Sequence, residues 1–187
     1  MRNVKQHILF LLLTVFMSTV IWANEHLPAA SAKYITDNQY IPIDGPYVFH
    51  ESDKTVVRYV VLENNALVAK EEVFEAGTKI RPLSCSIDRS KMKGFTVTLR
   101  DKIASPPAIY EQPKKLFAIS DIEGEFEIFA QTLQANKIID KNYNWIYGRG
   151  HLVLNGDFFD RGINVTACLW LVYRLEQEAE RAGGRVH

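Results

Sequence analysis

Two short acidic segments carry the residue types that could perform chemistry in this 187-residue chain. The first reads "SDIEGE" and contains Asp121 and Glu123, and the second reads "GDFFDRG" and contains Asp157, Asp160 and Arg161. Carboxylate oxygens are the ligands that hard cations such as Mg²⁺ and Mn²⁺ prefer. A guanidinium beside them could bind a phosphate group through paired hydrogen bonds. Together the segments predict a metal-assisted site for a phosphoester.

Each acidic segment follows an apolar run that is typical of a short buried strand. These runs are "KLFAIS" (115–120) and "HLVLN" (151–155). The carboxyl ends of neighbouring parallel strands line the ligand crevice of open α/β sheets. We therefore expect Asp121, Glu123 and Asp157 to share one space. Carboxylates this close repel one another, and a divalent cation would relieve the repulsion.

Two helices are predicted around these strands. Residues 124–139 have apolar residues at helical spacing, and residues 164–184 form a longer helical run that Gly183 should stop. Asn164 matches a glycosylation sequon, but it is better explained as the N-cap of the second helix. "RVH" then begins a third strand. This order of elements predicts an α/β fold with neighbouring parallel strands.

The preceding part of the chain has the texture of β-structure. Residues 55–74 hold two β-rich runs around Glu63-Asn64-Asn65, which predicts a hairpin. Residues 94–103 alternate as a half-buried strand should. Gly45-Pro46 and Gly77 are expected to be turns. The two glycines of the acidic segments, Gly124 and Gly156, are expected to let the backbone approach a metal or phosphate.

Four segments make up the predicted organisation. They are a signal peptide at 1–23, a β-rich domain or extension at 24–107, a proline-containing linker at 108–114 and an incomplete catalytic α/β domain at 115–187. The leader combines basic residues with the uncharged run "ILFLLLTVFMSTVIW", which is short for a spanning helix. We expect export to a bacterial periplasm and no stable membrane insertion after cleavage. The alternative is an uncleaved anchor in the inner membrane.

Composition narrows the function classes. The 22 Lys and Arg residues balance the 22 Asp and Glu residues, which argues against a nucleic-acid-binding protein. Cys85 and Cys168 are the two cysteines. Buried free thiols are favoured over a disulfide because Cys168 lies in an apolar helical run.

With these motifs in view, the chain resembles the calcineurin-like metallophosphoesterase superfamily, and within it the phosphoprotein phosphatase type. That type carries the motifs GDxHG, GDxxDRG and GNH[DE], and residues 156–162 match the second in full. The resemblance covers 115–187 and implies a layered α/β sandwich. It implies a metal-dependent, serine/threonine phosphatase-like phosphoric-monoester hydrolase acting on a phosphoprotein or a small phosphoester.

The resemblance also implies a role for each site residue. Asp121 would be a ligand of the first metal, and Asp157 would bridge two divalent ions, with Mn favoured and Mg, Fe or Zn as alternatives. A hydroxide bridging the two metals would be the nucleophile. Arg161 would bind the phosphate oxygens. Asp160 would orient the histidine of GNH[DE], which protonates the leaving group.

Two departures from the family pattern bear on these roles. Glu123 stands where the family has a metal-ligating histidine, and a carboxylate there should favour Mn²⁺ or Mg²⁺ over zinc. It could equally mark a site with one metal or none. GNH[DE] does not occur by His187, so we expect a truncated sequence that is inactive alone. The five histidines are not expected to be catalytic.

Other interpretations of the same residues stay open. Asp121 and Glu123 could be helix N-terminal acids, and Asp160 with Arg161 could be a local salt bridge. The alternative function is a catalytically degenerate, phosphatase-like binding or scaffold module in the periplasm. The observation that suggests this alternative is that Glu123 replaces the histidine of the family motif.

Overall fold

The computed structural model describes residues 35–36, 39–40 and 42–187 of the chain. These residues fall within the unit Tyr34–His187. The expected leader, residues 1–23, lies outside the described residues, so export and anchoring stay predictions. Among the residues that are described, no helix has both the length and the apolar character needed to cross a bilayer.

From residue 115 onward the strands and helices follow the order that the sequence predicts, and the β-rich region before it holds seven strands among the described residues. The strands are β1 (Ile35–Thr36), β2 (Gln39–Tyr40), β3 (Asp44–His50), β4 (Lys54–Glu63), β5 (Ala66–Glu75), β6 (Leu83–Cys85), β7 (Phe95–Val97), β8 (Leu116–Ile119), β9 (His151–Leu154) and β10 (Arg185–Val186). The helices are α1 (Phe126–Ala135) and α2 (Val165–Arg181). The prediction of a mixed α/β fold is confirmed.

A three-stranded parallel sheet positions the acidic segments. Its order is β10-β9-β8, and β9 pairs in parallel with both neighbours. Ile119 at the end of β8 lies opposite Leu154 at the end of β9. The two strands therefore end side by side, and the residues that follow them leave the same edge of the sheet. This confirms the predicted pairing of parallel strands.

Helix α1 is shorter than predicted, because it ends at Ala135 rather than near residue 139. Lys137 adopts a left-handed backbone with φ 57°. Its N–H donates to the carbonyl of Gln134, and the N–H of Ile138 donates to the carbonyl of Leu133. This is the Schellman pattern of helix termination, here with lysine instead of glycine. Ile138 remains fully buried, which explains why its spacing suggested a longer helix.

Helix α2 ends where the sequence predicts but begins differently. Gly183 has φ 76°, and the N–H of Gly184 donates to the carbonyl of Ala179, so glycine closes this helix in the same pattern. Asn164 holds the N-cap position, as predicted, but its side chain makes no capping hydrogen bond. The side chain pairs instead with the backbone of Asp88 in the β-rich region. A long-range partner has replaced the local one.

The predicted hairpin is present in the β-rich region. Strands β4 and β5 pair antiparallel along their length, with Glu63 opposite Ala66. Asn64 and Asn65 connect them with φ 48° and 63°, the conformation of a type I′ turn. Asparagine tolerates this left-handed conformation better than most residues, so the turn type follows from the local sequence.

Two other expectations for this region differ from the structure. Gly45-Pro46 is part of strand β3 rather than a turn, at a place where the pairing with β4 shifts register. The strand predicted over 94–103 is confined to Phe95–Val97. Gly77 does lie in a turn, with φ 79°. Proline is tolerated at this irregular pairing because a bulge leaves backbone groups outside the hydrogen-bonded ladder of the sheet.

One hydrophobic core joins the β-rich region to the α/β region. Phe95 on β7 stacks on Phe126 of α1, and Tyr143 meets both rings edge-on. The Nε1–H group of Trp170 donates to the carbonyl of Pro46 at 2.7 Å. Side chains from both regions are buried in this single cluster. The division into a β-rich domain or extension at 24–107 and a linker at 108–114 stays a prediction.

Candidate active site

The acidic loops after β8 and β9 are joined through their backbones. The N–H groups of Ile122 and Glu123 both donate to the carbonyl of Asp157, at 2.8 and 3.0 Å. The N–H of Gly162 donates to the carbonyl of Glu123, and the N–H of Asn164 donates to the carbonyl of Gly124. These bonds hold the two loops together independently of any ligand.

Three of the predicted site residues meet at this junction. One carboxylate oxygen from each of Asp121, Glu123 and Asp157 lies within 4.8 Å of the other two. Asp121 and Asp157 are exposed, and Glu123 is partly buried. The neighbouring ends of β8 and β9 produce this convergence, as the sequence predicted. Whether these oxygens ligate a metal stays a prediction.

The backbone is strained at each of these acids. Asp121, Glu123 and Asp157 have φ values of 57°, 48° and 53°, and Asp160 has φ 107°. Such conformations cost about 1–3 kcal/mol each in residues other than glycine, and they concentrate at binding and catalytic sites. The surrounding hydrogen bonds must therefore compensate for the strain.

Glycine has a different role at Gly124 than the sequence suggested. A Cβ atom there would lie 2.5 Å from the carbonyl oxygen of Gly162, and a Cβ at Gly162 would lie 2.3 Å from the carbonyl carbon of Gly124. The two loops thus cross with backbone directly on backbone. Gly156 has open space around it and φ 87°, so its requirement is conformational.

Arg161 contacts the acidic group through a single ion pair. Its Nε lies 3.2 Å from Oε1 of Glu123, and the side-chain exposures are 73% and 16% respectively. The guanidinium therefore faces solvent while its partner is mostly enclosed. Asp160 is exposed and is not one of the three residues whose ligand atoms converge. The local Asp160–Arg161 salt bridge that the sequence left open is absent from the described contacts.

Two contributions to the site were missed by the sequence reasoning. The hydroxyl of Ser120 donates to Oδ2 of Asp121 at 2.5 Å. Asn164 connects three segments, because its N–H bonds to Gly124 while its side chain accepts from the N–H of Asp88 and donates to the carbonyl of Asp88. The position of Ser120 directly before Asp121 was a sequence signal that could have indicated the first contact. No local signal identified the contact between Asn164 and Asp88.

The donor set fits a hard divalent cation. Three carboxylate oxygens converge, and the exposed guanidinium of Arg161 pairs with the side chain of Glu123. Oxygen donors of this kind suit Mg²⁺ and Mn²⁺, and no nitrogen or sulfur donor is grouped with them among the described residues. The residues present therefore suit part of a metal site.

Other candidate groups lie apart from this junction. Nε2 of His187 and Nδ1 of His151 are 3.0 Å apart, and Tyr110 packs edge-on against both rings. A cavity of about 750 Å³ adjoins His151 at the opposite end of β9, and none of the three acids lines it. Burial lowers the pKa of His151 from 6.5, with smaller contributions from His187 and Arg185.

The cysteines are free and buried, as the sequence favoured over a disulfide. Burial raises the pKa of both thiols, Cys85 and Cys168, to about 12. A thiol held neutral in this way is a poor nucleophile, because the thiolate is the reactive form.

Comparison with known proteins confirms the resemblance to phosphatases over part of the chain. The chain is 35% identical over 77 residues to Shewanella-like protein phosphatase 2 of Arabidopsis thaliana. It is 40% identical over 72 residues to Shewanella-like protein phosphatase 1 of Plasmodium berghei. These matches cover 41% and 38% of this chain and 20% of each relative. No family model matches the chain.

Solved structures of phosphatases are similar to this chain over more of its length. The cold-active protein-tyrosine phosphatase of a psychrophilic Shewanella species superposes with a TM-score of 0.58 and 33% identity, covering 77% of this chain and 41% of that one. A second structure of a cold-active protein tyrosine phosphatase gives a TM-score of 0.57. The structural similarity therefore extends beyond 115–187, which is less than half of the chain, into the β-rich region. The sequence matches to the two curated relatives, over 77 and 72 residues, are close in length to the 73 residues of the sequence-based resemblance.

Proposed function

We propose that this protein is a metal-dependent phosphoric-monoester hydrolase, a protein phosphatase of the calcineurin-like type. The observation that carries the proposal is the convergence of Asp121, Glu123 and Asp157 within 4.8 Å, with Arg161 beside them. Relatives named as protein phosphatases are 35% and 40% identical to part of this chain. The structure of a protein-tyrosine phosphatase is similar to it, with a TM-score of 0.58. These relatives do not favour the alternative of a catalytically degenerate binding module.

The three acids would hold divalent ions, of which two are proposed, with manganese favoured. Bound ions of this kind act as Lewis acids and lower the pKa of a bound water from 15.7 to about 7, which makes a nucleophile available at neutral pH. The chain itself would contribute by holding the three acids in position. Backbone bonds from Ile122 and Glu123 to the carbonyl of Asp157 keep the two acidic loops in register before any ligand arrives.

Arg161 is proposed to bind the phosphate of the substrate. Its guanidinium is 73% exposed, so it is available to a ligand arriving from solvent. Planar guanidinium groups bind phosphate oxygens in pairs and offset the negative charge that grows in the transition state. Asp160 is proposed to orient an acid that protonates the leaving group. The substrate would be a phosphorylated protein or a small phosphoester, and specificity for serine or threonine is part of the proposal.

Two further parts of the proposal rest on the sequence. The parallel sheet β10-β9-β8 would be one layer of the proposed layered sandwich. The leader at 1–23 would direct the protein to the periplasm, or anchor it in the inner membrane if uncleaved. Fractionation of cells, with N-terminal sequencing of the recovered protein, distinguishes a cleaved periplasmic form from an anchored one.

The test is hydrolysis of a chromogenic aryl phosphate by the full-length protein, with and without added Mn²⁺. Asp157→Asn is expected to abolish metal-dependent release, because it removes a carboxylate from the converging group. Arg161→Ala is expected to raise KM and lower kcat, since the guanidinium would touch phosphate in both ground and transition states. Asp101→Asn, at an exposed acid outside the junction, is the matched control. Equal activity of Asp157→Asn and Asp101→Asn would refute the proposal.

A further inference from the structure

We propose that Glu123 is a positioning residue that orients Arg161 for phosphate while it faces the metal cluster. This inference rests on the proposed function and assigns a second task to the residue that departs from the family motif. The observation is the contact between Oε1 of Glu123 and Nε of Arg161 at 3.2 Å. It is made by the same side chain whose carboxylate converges with Asp121 and Asp157.

A carboxylate can perform both tasks, and a histidine cannot. Glutamate has two oxygens, so one can face a cation while the other accepts from a guanidinium. A neutral imidazole has a single acceptor nitrogen. Once that nitrogen ligates a metal, the remaining ring N–H can only donate, and it would face the donors of Arg161. The replacement of histidine by Glu123 therefore adds a link between the cluster and the arginine.

The geometry of the pair suits a positioning role. Glu123 is fixed by its own backbone, because its N–H donates to the carbonyl of Asp157 and its carbonyl accepts from Gly162. Its side chain is only 16% exposed, whereas that of Arg161 is 73% exposed. Glu123 is therefore fixed by its backbone and its burial, and the exposed side chain of Arg161 is restrained by its contact with Glu123. Without this contact the long arginine side chain would sample many rotamers before binding.

The contact leaves the phosphate-binding edge of Arg161 available. It engages Nε, and the two terminal nitrogens of the guanidinium carry the remaining donors. A phosphate could then bind the terminal pair while Glu123 retains Nε. Glu123 would restrict the orientation of the guanidinium without occupying the donors that the substrate needs.

The experiment is a double-mutant cycle on inorganic phosphate binding, measured by calorimetry on the manganese-loaded protein. Glu123→Gln keeps the shape of the side chain and removes its charge, and Arg161→Ala removes the guanidinium. Each single variant is expected to bind phosphate about tenfold more weakly, a loss of about 1.4 kcal/mol. With the protein saturated with Mn²⁺, Glu123→Gln should weaken phosphate binding less in the Arg161→Ala background than in the parent, because part of its effect acts through Arg161. Losses that multiply in the double variant would overturn the inference.

A second measurement separates this inference from the proposed function. In metal-free protein labelled with ¹⁵N-arginine, the Nε resonance of Arg161, assigned by its loss in Arg161→Lys, should report the carboxylate of Glu123 beside it. Glu123→Gln should shift this resonance, whereas Glu176→Gln, at an acid on α2 beside Arg100, should leave it unchanged. An Nε resonance that Glu123→Gln does not alter would overturn the inference. A parent protein that binds no phosphate but passes this measurement would refute only the proposed function.

Discussion

Replacement of Gly124 by alanine tests whether the two acidic loops cross as closely as the structure shows. Two costs combine at this position. Alanine at φ 74° would adopt a left-handed conformation, which costs roughly 1–2 kcal/mol. Its Cβ would also lie 2.5 Å from the carbonyl oxygen of Gly162, and relieving such an overlap with backbone costs about 1–3 kcal/mol more. The expected total is about 2–5 kcal/mol.

Two matched variants separate these costs. Gly77 has φ 79°, and a Cβ atom added there would have no neighbour within 4 Å, so Gly77→Ala reports the conformational cost alone. Gly162→Ala reports the overlap from the other side of the crossing, because its Cβ would meet the carbonyl carbon of Gly124 at 2.3 Å. Gly124→Ala and Gly162→Ala should therefore both be more destabilised than Gly77→Ala.

Urea denaturation followed by fluorescence measures the free energies of unfolding, and thermal scans provide a second reading. An excess of about 1–3 kcal/mol for Gly124→Ala over Gly77→Ala corresponds to about 2–12 °C in Tm for a domain of this size. Manganese affinity should fall along with stability, since the crossing sets the positions of the acids. Equal destabilisation of Gly124→Ala and Gly77→Ala would refute the close crossing.

Three other predictions concern residues outside the acids. Asn164→Ala should destabilise the protein by about 1–3 kcal/mol in urea denaturation, because the partly buried backbone of Asp88 loses its partner. Asn164→Asp should retain only the contact with the Asp88 N–H. Ellman's reagent at pH 8 should leave the native thiols unreacted and label both after unfolding, because burial raises the pKa of each to about 12. Since burial lowers the pKa of His151, stability should be greatest above pH 6.5 and should decrease as the pH falls towards the folded-state pKa. A His151→Gln variant should lose this slope in denaturation series across pH.

Much of the fold could be predicted from local signals. The hairpin at Asn64-Asn65 and the end of α2 at Gly183 depend on the conformations that individual residues tolerate, which the sequence displays directly. The strands β8 and β9 follow from apolar runs that end at acids. The end of α1 at Lys137 was missed, because burial of Ile138 and its hydrogen bond to Leu133 stabilise a left-handed lysine that local preference disfavours.

The candidate site also has one part that the sequence predicted and one part that it did not. Asp121, Glu123 and Asp157 were predicted to converge, because parallel neighbouring strands must deliver their carboxyl ends to one edge. The ion pair between Glu123 and Arg161 could not be predicted, since it depends on how two loops fold back on each other.

The sequence by itself determined which chemical groups are present and which edge of the sheet carries them, because periodicity and turn preference act over a few residues. Only the tertiary structure decided how those groups are held. The crossing of Gly124 with Gly162 and the pairing of Asn164 with Asp88, 76 positions away, depend on segments brought together by the common core. No local preference encodes such contacts, since each partner is satisfied only when the other segment has already packed against it.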